Sequence, residues 1–214
     1  MHYVGTTACA LIASVSLVTA CGGGGSGGSN NWAKWGQSTA TGVFKDARVA
    51  GLEYRSGARR GTTDADGEFT YEVGRSVTFS IGGVTVGTTD GASVITPIDL
   101  ANGDSVDSTD VINRVRFLLL LDSDDNAADG IQISSGVREL ADHWSEIDFT
   151  ATDFSAKLTN IASDVQSIDG DATIPGASEA ETHFSGTLRC LSSGAFVGEF
   201  GGDRSGRFAF LVSA

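Results

Sequence analysis

Between residues 41 and 100, apolar and polar positions alternate. Leu52 and Tyr54 flank Glu53, and Phe69, Tyr71 and Val73 are separated by Thr70 and Glu72. That is the period of strands with one buried face. Ser56-Gly57, Asp64-Ala65-Asp66-Gly67 and Gly82-Gly83 interrupt the runs with residues that suit tight turns. Val77, Phe79 and Ile81 before Gly82-Gly83, with Val84 and Val86 after it, predict a hairpin. Short antiparallel strands at this spacing point to a small β-sandwich over residues 37–100.

From Ser108 the period becomes helical. Val111, Ile112, Val115, Leu118 and Leu119 follow Ser108-Thr109-Asp110, an N-cap with an acid in the first turn, and Phe117 to Leu121 is apolar nearly all round. Val137, Leu140, Ala141 and Trp144 predict a second helix, and Phe154, Leu158, Ile161, Val165 and Ile168 a third. Ser178 with Glu181 forms a candidate capping box before Phe184, Leu188 and Leu191, a fourth. Four amphipathic helices over residues 101–192 suffice for a small bundle, packed on itself or on the sandwich. Alternation returns over residues 193–214, where Ala195, Val197 and Glu199 face one way and Phe196, Phe200, Phe208 and Phe210 the other. A lone hairpin is marginal in water. It therefore packs on the helices, joins the first sheet, or opens a domain truncated at Ala214. The fold class expected is α+β.

Charge divides the chain along the same lines. Of 214 residues, 27 are acidic and 14 are Lys or Arg, a formal net charge of -13. Residues 1–98 hold seven acids and seven bases, while residues 99–171 hold sixteen acids and four bases. Nucleic acid is excluded as an expected partner, because phosphate binding needs clustered Lys and Arg.

Ala8 to Ala20 is an uncharged, largely apolar run, too short to span a hydrocarbon core of about 30 Å and suited to a signal h-region. It ends in Leu17-Val18-Thr19-Ala20-Cys21, which resembles the bacterial lipobox; an ordinary secretory signal is the alternative. The resemblance implies cleavage after residue 20, diacylglycerol on Cys21, and membrane attachment through acyl chains. Gly22 after the cysteine, by resemblance to lipoprotein sorting, favours the outer membrane. Residues 21–36 form a Gly/Ser-rich tether, in which G-x-G-x-x-G arises by composition, with no strand before it. Trp32 and Trp35 suit either a membrane or sugar interface or docking on the sandwich. With Cys9 in the signal and Cys21 lipidated, Cys190 is the remaining thiol of the mature chain. An intramolecular disulfide is then excluded, and Cys190 is expected to pack as a small hydrophobe.

Gly42-Val43-Phe44, Val49-Ala50-Gly51-Leu52-Glu53-Tyr54 and Gly61-Thr62-Thr63-Asp64-Ala65-Asp66-Gly67-Glu68-Phe69 resemble the transthyretin-like, or carboxypeptidase-regulatory-like, β-sandwich modules. About sixty residues are covered. The resemblance implies a spacer or binding unit of the kind found on surface lipoproteins and adhesin-like proteins, with no catalytic residues to carry over.

Asp122, Asp124, Asp125, Asn126 and Asp129 crowd oxygen donors behind the most apolar helix, and hard Ca²⁺ takes about six to eight oxygens. The loop is not an EF-hand: Ala127 and Ile133 stand where the turn glycine and the bidentate Glu belong. A solvated acidic loop is the alternative. In the D-x-D-G run, Asp64 and Asp66 are expected to serve turn geometry, and Arg59-Arg60 is too short a basic run for a polyanion site. His143 and His183, read as surface or helix-flank residues, bring no zinc ligand set. No nucleophile elbow or phosphate loop is present. The expectation is a non-catalytic, membrane-anchored envelope lipoprotein that binds a glycan or surface protein, or acts as a spacer, with Ca²⁺ as a candidate stabiliser. An envelope-polysaccharide hydrolase or its accessory subunit is the rival, distinguished by two buried carboxylates of raised pKa in one cleft.

Overall fold

A computed structural model of the chain describes residues 38–101, 105–170, 172–200 and 206–212. It is a mixed α+β structure, with several antiparallel sheets and five helices among those residues. The expected signal peptide, Cys21, the tether, Trp32 and Trp35 lie outside the described residues.

The alternating region forms β1 (Thr39–Phe44), β2 (Val49–Ala50), β3 (Glu53–Ser56), β4 (Arg59–Thr62), β5 (Glu68–Glu72), β6 (Ser76–Ile81), β7 (Val84–Asp90) and β8 (Val94–Ile95). One sheet runs β5-β1-β8 and a second β4-β3-β6-β7. The second is antiparallel throughout, with the expected Gly82-Gly83 turn joining β6 to β7. Gly82 has φ +51, and a Cβ there would lie 2.2 Å from the Ala141 carbonyl carbon, so the turn requires glycine. Phe79 of β6 contacts Phe44 of β1 and Phe69 of β5, with ring centroids 4.9 and 5.1 Å apart. Those rings link the buried faces of the two sheets.

Pairing is not wholly antiparallel. β1 runs parallel to β8, and β2 parallel to β9 (Ile131–Gln132). Val73, expected on the face of Phe69 and Tyr71, is half exposed because β5 ends at Glu72. Glu72, expected to point outward, is buried, with Oε1 accepting from the Ala58 amide at 3.0 Å.

The helices are α1 (Pro97–Leu100), α2 (Thr109–Leu120), α3 (Ser135–Ala141), α4 (Phe154–Asp169) and α5 (Ala177–Ser192). Ser108 caps α2 as expected, its Oγ accepting from the Val111 amide. The start of α5 corrects the expected Ser178–Glu181 box. Gly176 is the N-cap, and Glu179 Oε2 accepts from its amide at 3.3 Å, so the helix begins two residues earlier than the sequence suggested. Phe154, Leu158, Ile161 and Val165 are buried as the spacing requires, while Ile168, near the C-terminal end of α4, is exposed. β10 (Gly194–Phe200) and β11 (Gly206–Val212) pair antiparallel from Gly194↔Val212 to Phe200↔Gly206, the terminal hairpin expected.

α2 is the most enclosed helix, and two of its buried side chains are polar. Asn113 Nδ2 donates to the carbonyls of Phe149 and Ala151, at 2.8 and 3.0 Å. Arg116 donates to the Pro175 carbonyl at 2.7 Å, to Asn113 Oδ1 at 3.2 Å and to Ser155 Oγ at 2.6 Å, with its guanidinium over the Phe154 ring. One side chain thus ties α2 to the start of α4 and to the turn before α5. Arg116→Ala leaves these acceptors without a donor in a closed site, and is expected to lower stability by about 3 kcal/mol in urea unfolding. Arg116→Lys should recover less than half of that, because an ammonium lacks the planar fork that reaches three acceptors.

Candidate functional site

The β1–β2 turn, the loop after α2 and the middle of α5 bring ionisable groups into the interior. Ala47 takes the left-handed conformation, φ 57, in the turn that points Asp46 inward, and its amide donates to Thr187 Oγ1 of α5 at 3.0 Å. Asp46 has no solvent exposure and lies 3.1 Å from His183 Nε2. The contact is out of line for an N–H···O bond, so neither Asp46 oxygen accepts an aligned hydrogen bond. Attraction at that range persists without ideal alignment, so the two form an ion pair when His183 is protonated. Burial raises the Asp46 pKa against the opposing pull of His183. For His183, burial disfavours the charge, but the contact with Asp46 outweighs it, Asp122 adds to it, and the net shift is upward. His183, expected on the surface or a helix flank, is a largely enclosed histidine of α5 that faces Asp46. Its partner lies 137 positions away, and periodicity carries no sign of it.

Asp122, the first residue of the acidic loop, faces inward and is 4 % exposed. Its Oδ1 accepts from the Gln132 amide at 2.9 Å, and its Oδ2 has no partner. Burial, helped by Asp124 and Asp129, pushes its pKa up to about 6 against the Gln132 and Asn126 amides. An acid following a helix C-terminus opposes the helix dipole. A raised proton affinity is how this one is accommodated.

The other candidate cation ligands, Asp124, Asp125, Asn126 and Asp129, are exposed. Asp124 Oδ1 accepts from the Asn126 amide at 3.1 Å, closing a local turn, and Asp125 has φ 54. The Asp129 carbonyl accepts from Arg48 Nη2 at 3.3 Å. Among the described residues, no group of three or more His, Cys, Asp or Glu side chains gathers to hold a metal ion. In the D-x-D-G turn, Asp64 Oδ1 accepts from the amides of Asp66 and Glu68, at 3.0 and 2.9 Å. Gly67 there has φ +77, and a Cβ would meet the Phe44 carbonyl oxygen at 2.7 Å. That carboxylate serves the turn.

Asp46 and Asp122 are two buried carboxylates of raised pKa, one part of the mark set for the hydrolase reading. Access is the other part. The 320 Å³ pocket lined by Gly51, Thr63, Asp64, Gln132 and Arg138, and the 610 Å³ pocket lined by Val106, Leu188 and Leu191, include neither of them.

Cys190 is disulfide-bonded, which corrects the expectation of a packed thiol. Any pairing within the chain needs Cys9 or Cys21, the two cysteines that the expected cleavage and lipidation would take away. Compared with known proteins, the chain matches no family model, no curated protein and no solved structure.

The pKa of Asp122 fixes the sign of one pH effect. Its folded value of about 6 lies above the ordinary carboxyl value of 3.8, so the fold holds this proton more tightly than the unfolded chain does. Stability is lost as pH rises from about 4 through 6. Asp122→Asn keeps the acceptor for Gln132 and removes the charge. It should raise stability at pH 7 by on the order of 2 kcal/mol and flatten that stretch of the profile in urea titrations between pH 4 and 8.

Proposed function

We propose that this chain is an extracytoplasmic binding or spacer module of the cell envelope, without catalytic activity, attached through lipid on Cys21 and directed to the outer membrane's periplasmic or surface face by its Gly22 sorting residue. Its first part, residues 37–100, is read as a β-sandwich of the transthyretin-like type, supported by the Phe44, Phe69 and Phe79 contacts between two sheets. An acidic helical segment and a terminal hairpin follow.

The apolar run ending in Leu17-Val18-Thr19-Ala20-Cys21 is the observation that carries the compartment. The anchor rests on the Leu17–Cys21 motif alone. If lipid occupies Cys21 and Cys9 leaves with the signal, the mature chain keeps no second thiol for Cys190. Lipid on Cys21 and a disulfide to Cys190 therefore exclude each other within one mature chain, and one measurement separates them. The outward-facing carboxylates of Asp124, Asp125 and Asp129 are the part of the acidic loop left to meet Ca²⁺, as a weak, rim-exposed site.

Intact mass of native protein, before and after reduction, is expected to show a chain beginning at residue 21 and carrying acyl mass. Cys21→Ala should move it from the membrane fraction to the soluble one. A native chain without acyl mass, or unchanged membrane association of the variant, would remove the anchor. Ca²⁺ at millimolar concentration should raise the melting temperature by a few degrees, and Asp124→Asn with Asp125→Asn should abolish that rise. An unmoved melting temperature ends the calcium part.

A further inference from the structure

The outer face of the four-stranded sheet carries a row of side chains that the core does not use. In β4-β3-β6-β7 the buried face is made by Val77, Phe79, Ile81, Val84 and Val86. On the opposite face, register aligns Arg60 of β4 with Arg55 of β3, Arg55 with Thr78 of β6, and Thr78 with Thr88 of β7. Four strands about 4.8 Å apart make this row roughly 14 Å long. Arg55, Arg60 and Thr88 are exposed, and the Thr78 and Thr88 hydroxyls lie 2.9 Å apart.

Two arginines directly opposite each other repel, an arrangement that weakens a strand pair. Neither makes an ion pair or a hydrogen bond with any described residue, although the chain holds 27 acids. The nearest acid on this face is Glu53, one row away, and its Oε2 accepts from the Gly82 amide at 2.8 Å at the end of the hairpin. Asp90 lies one row away in the other direction, across two strands at Ser76. The sheet thus presents two uncompensated guanidinium forks side by side, flanked by Thr62, Thr78, Ser80 and Thr88.

We propose that this row binds an acidic polysaccharide, with Arg55 and Arg60 each taking a carboxylate and the neighbouring hydroxyls facing sugar hydroxyls. This deepens the binding reading above and rests on it for its setting outside the cytosol. Guanidinium forks match carboxylates in bidentate geometry. The row has no apolar side chain to enter a bilayer, and a net charge of -13 repels a densely anionic lipid surface more than a chain with one carboxylate per sugar. The sequence showed only Arg59-Arg60. It is strand register that places Arg55 beside Arg60.

The test uses the full chain with polygalacturonate as probe, neutral dextran as control and phosphatidylglycerol vesicles as the competing arm, in biolayer interferometry at low and 0.5 M salt. Binding to polygalacturonate and not dextran, lost at high salt, is expected. Arg55→Gln and Arg60→Gln should each weaken it at least about five-fold while leaving the melting temperature unchanged or higher, since each relieves the repulsion. Lys157→Ala, on α4, should have no effect. Equal binding by the arginine variants, binding to vesicles alone, or no binding to polygalacturonate would each overturn the proposal. None of those outcomes bears on the mass and fractionation results, so a failure here leaves the anchor and compartment standing or falling separately.

Discussion

Enclosing α2 is the constraint on which the helical part of this protein depends. A helix buried on nearly every side must have neighbours on nearly every side, and its polar atoms must find partners among them. Asn113 and Arg116 meet that demand with backbone carbonyls at Phe149, Ala151 and Pro175. These acceptors belong to the loop before α4 and the turn before α5, so satisfying two side chains also fixes where two helices begin. Phe117 adds aromatic contacts with Trp144 and Phe149 on the same side. Replacing the network with apolar side chains would preserve burial but remove the direction it gives.

The same interior handles its acids differently. Arg114 meets Asp110 one turn away, a local pair that costs little to arrange. Asp46 instead reaches His183 from a turn far away in sequence, and Asp122 is left with one unpartnered oxygen. All three shifts, for Asp46, His183 and Asp122, are upward. For Asp122 the folded state therefore holds a proton that the unfolded chain would release, and this group favours the fold more at lower pH. A chain with 27 acids and a net charge of -13 gains from this, because every retained proton also lessens its self-repulsion.

How much could be read in advance follows from how local each signal is. The β6–β7 hairpin, the Ser108 cap and the apolar stripes of α2 and α4 depend on neighbours within a few residues, and they stand where periodicity put them. The start of α5 moved by two residues because Gly176 and Glu179 offer an alternative to Ser178 and Glu181, and the Glu179 carboxylate caps the Gly176 amide. Parallel pairing of β2 with β9 joins segments about eighty residues apart, and no local pattern encodes it. The acidic loop was visible as composition, but the inward turn of Asp122 was not. Its direction is set by the Gln132 amide and the end of α2.

Charge placement joins these levels. Sixteen of the acids lie in residues 99–171, while the first part of the chain is balanced overall. Balance in number is not balance in space: Glu53 is held at the hairpin end and Glu72 is buried beside the Ala58 amide, so neither neutralises Arg55 or Arg60. A sheet face that keeps two like charges opposed has given up a little stability with no gain visible in the fold. The helical segment shows that this chain can pair an arginine when it is placed beside an acid, as with Arg114 and Asp110. Arg55 and Arg60 thus face solvent without a described partner, and the proposed carbohydrate site rests on that juxtaposition.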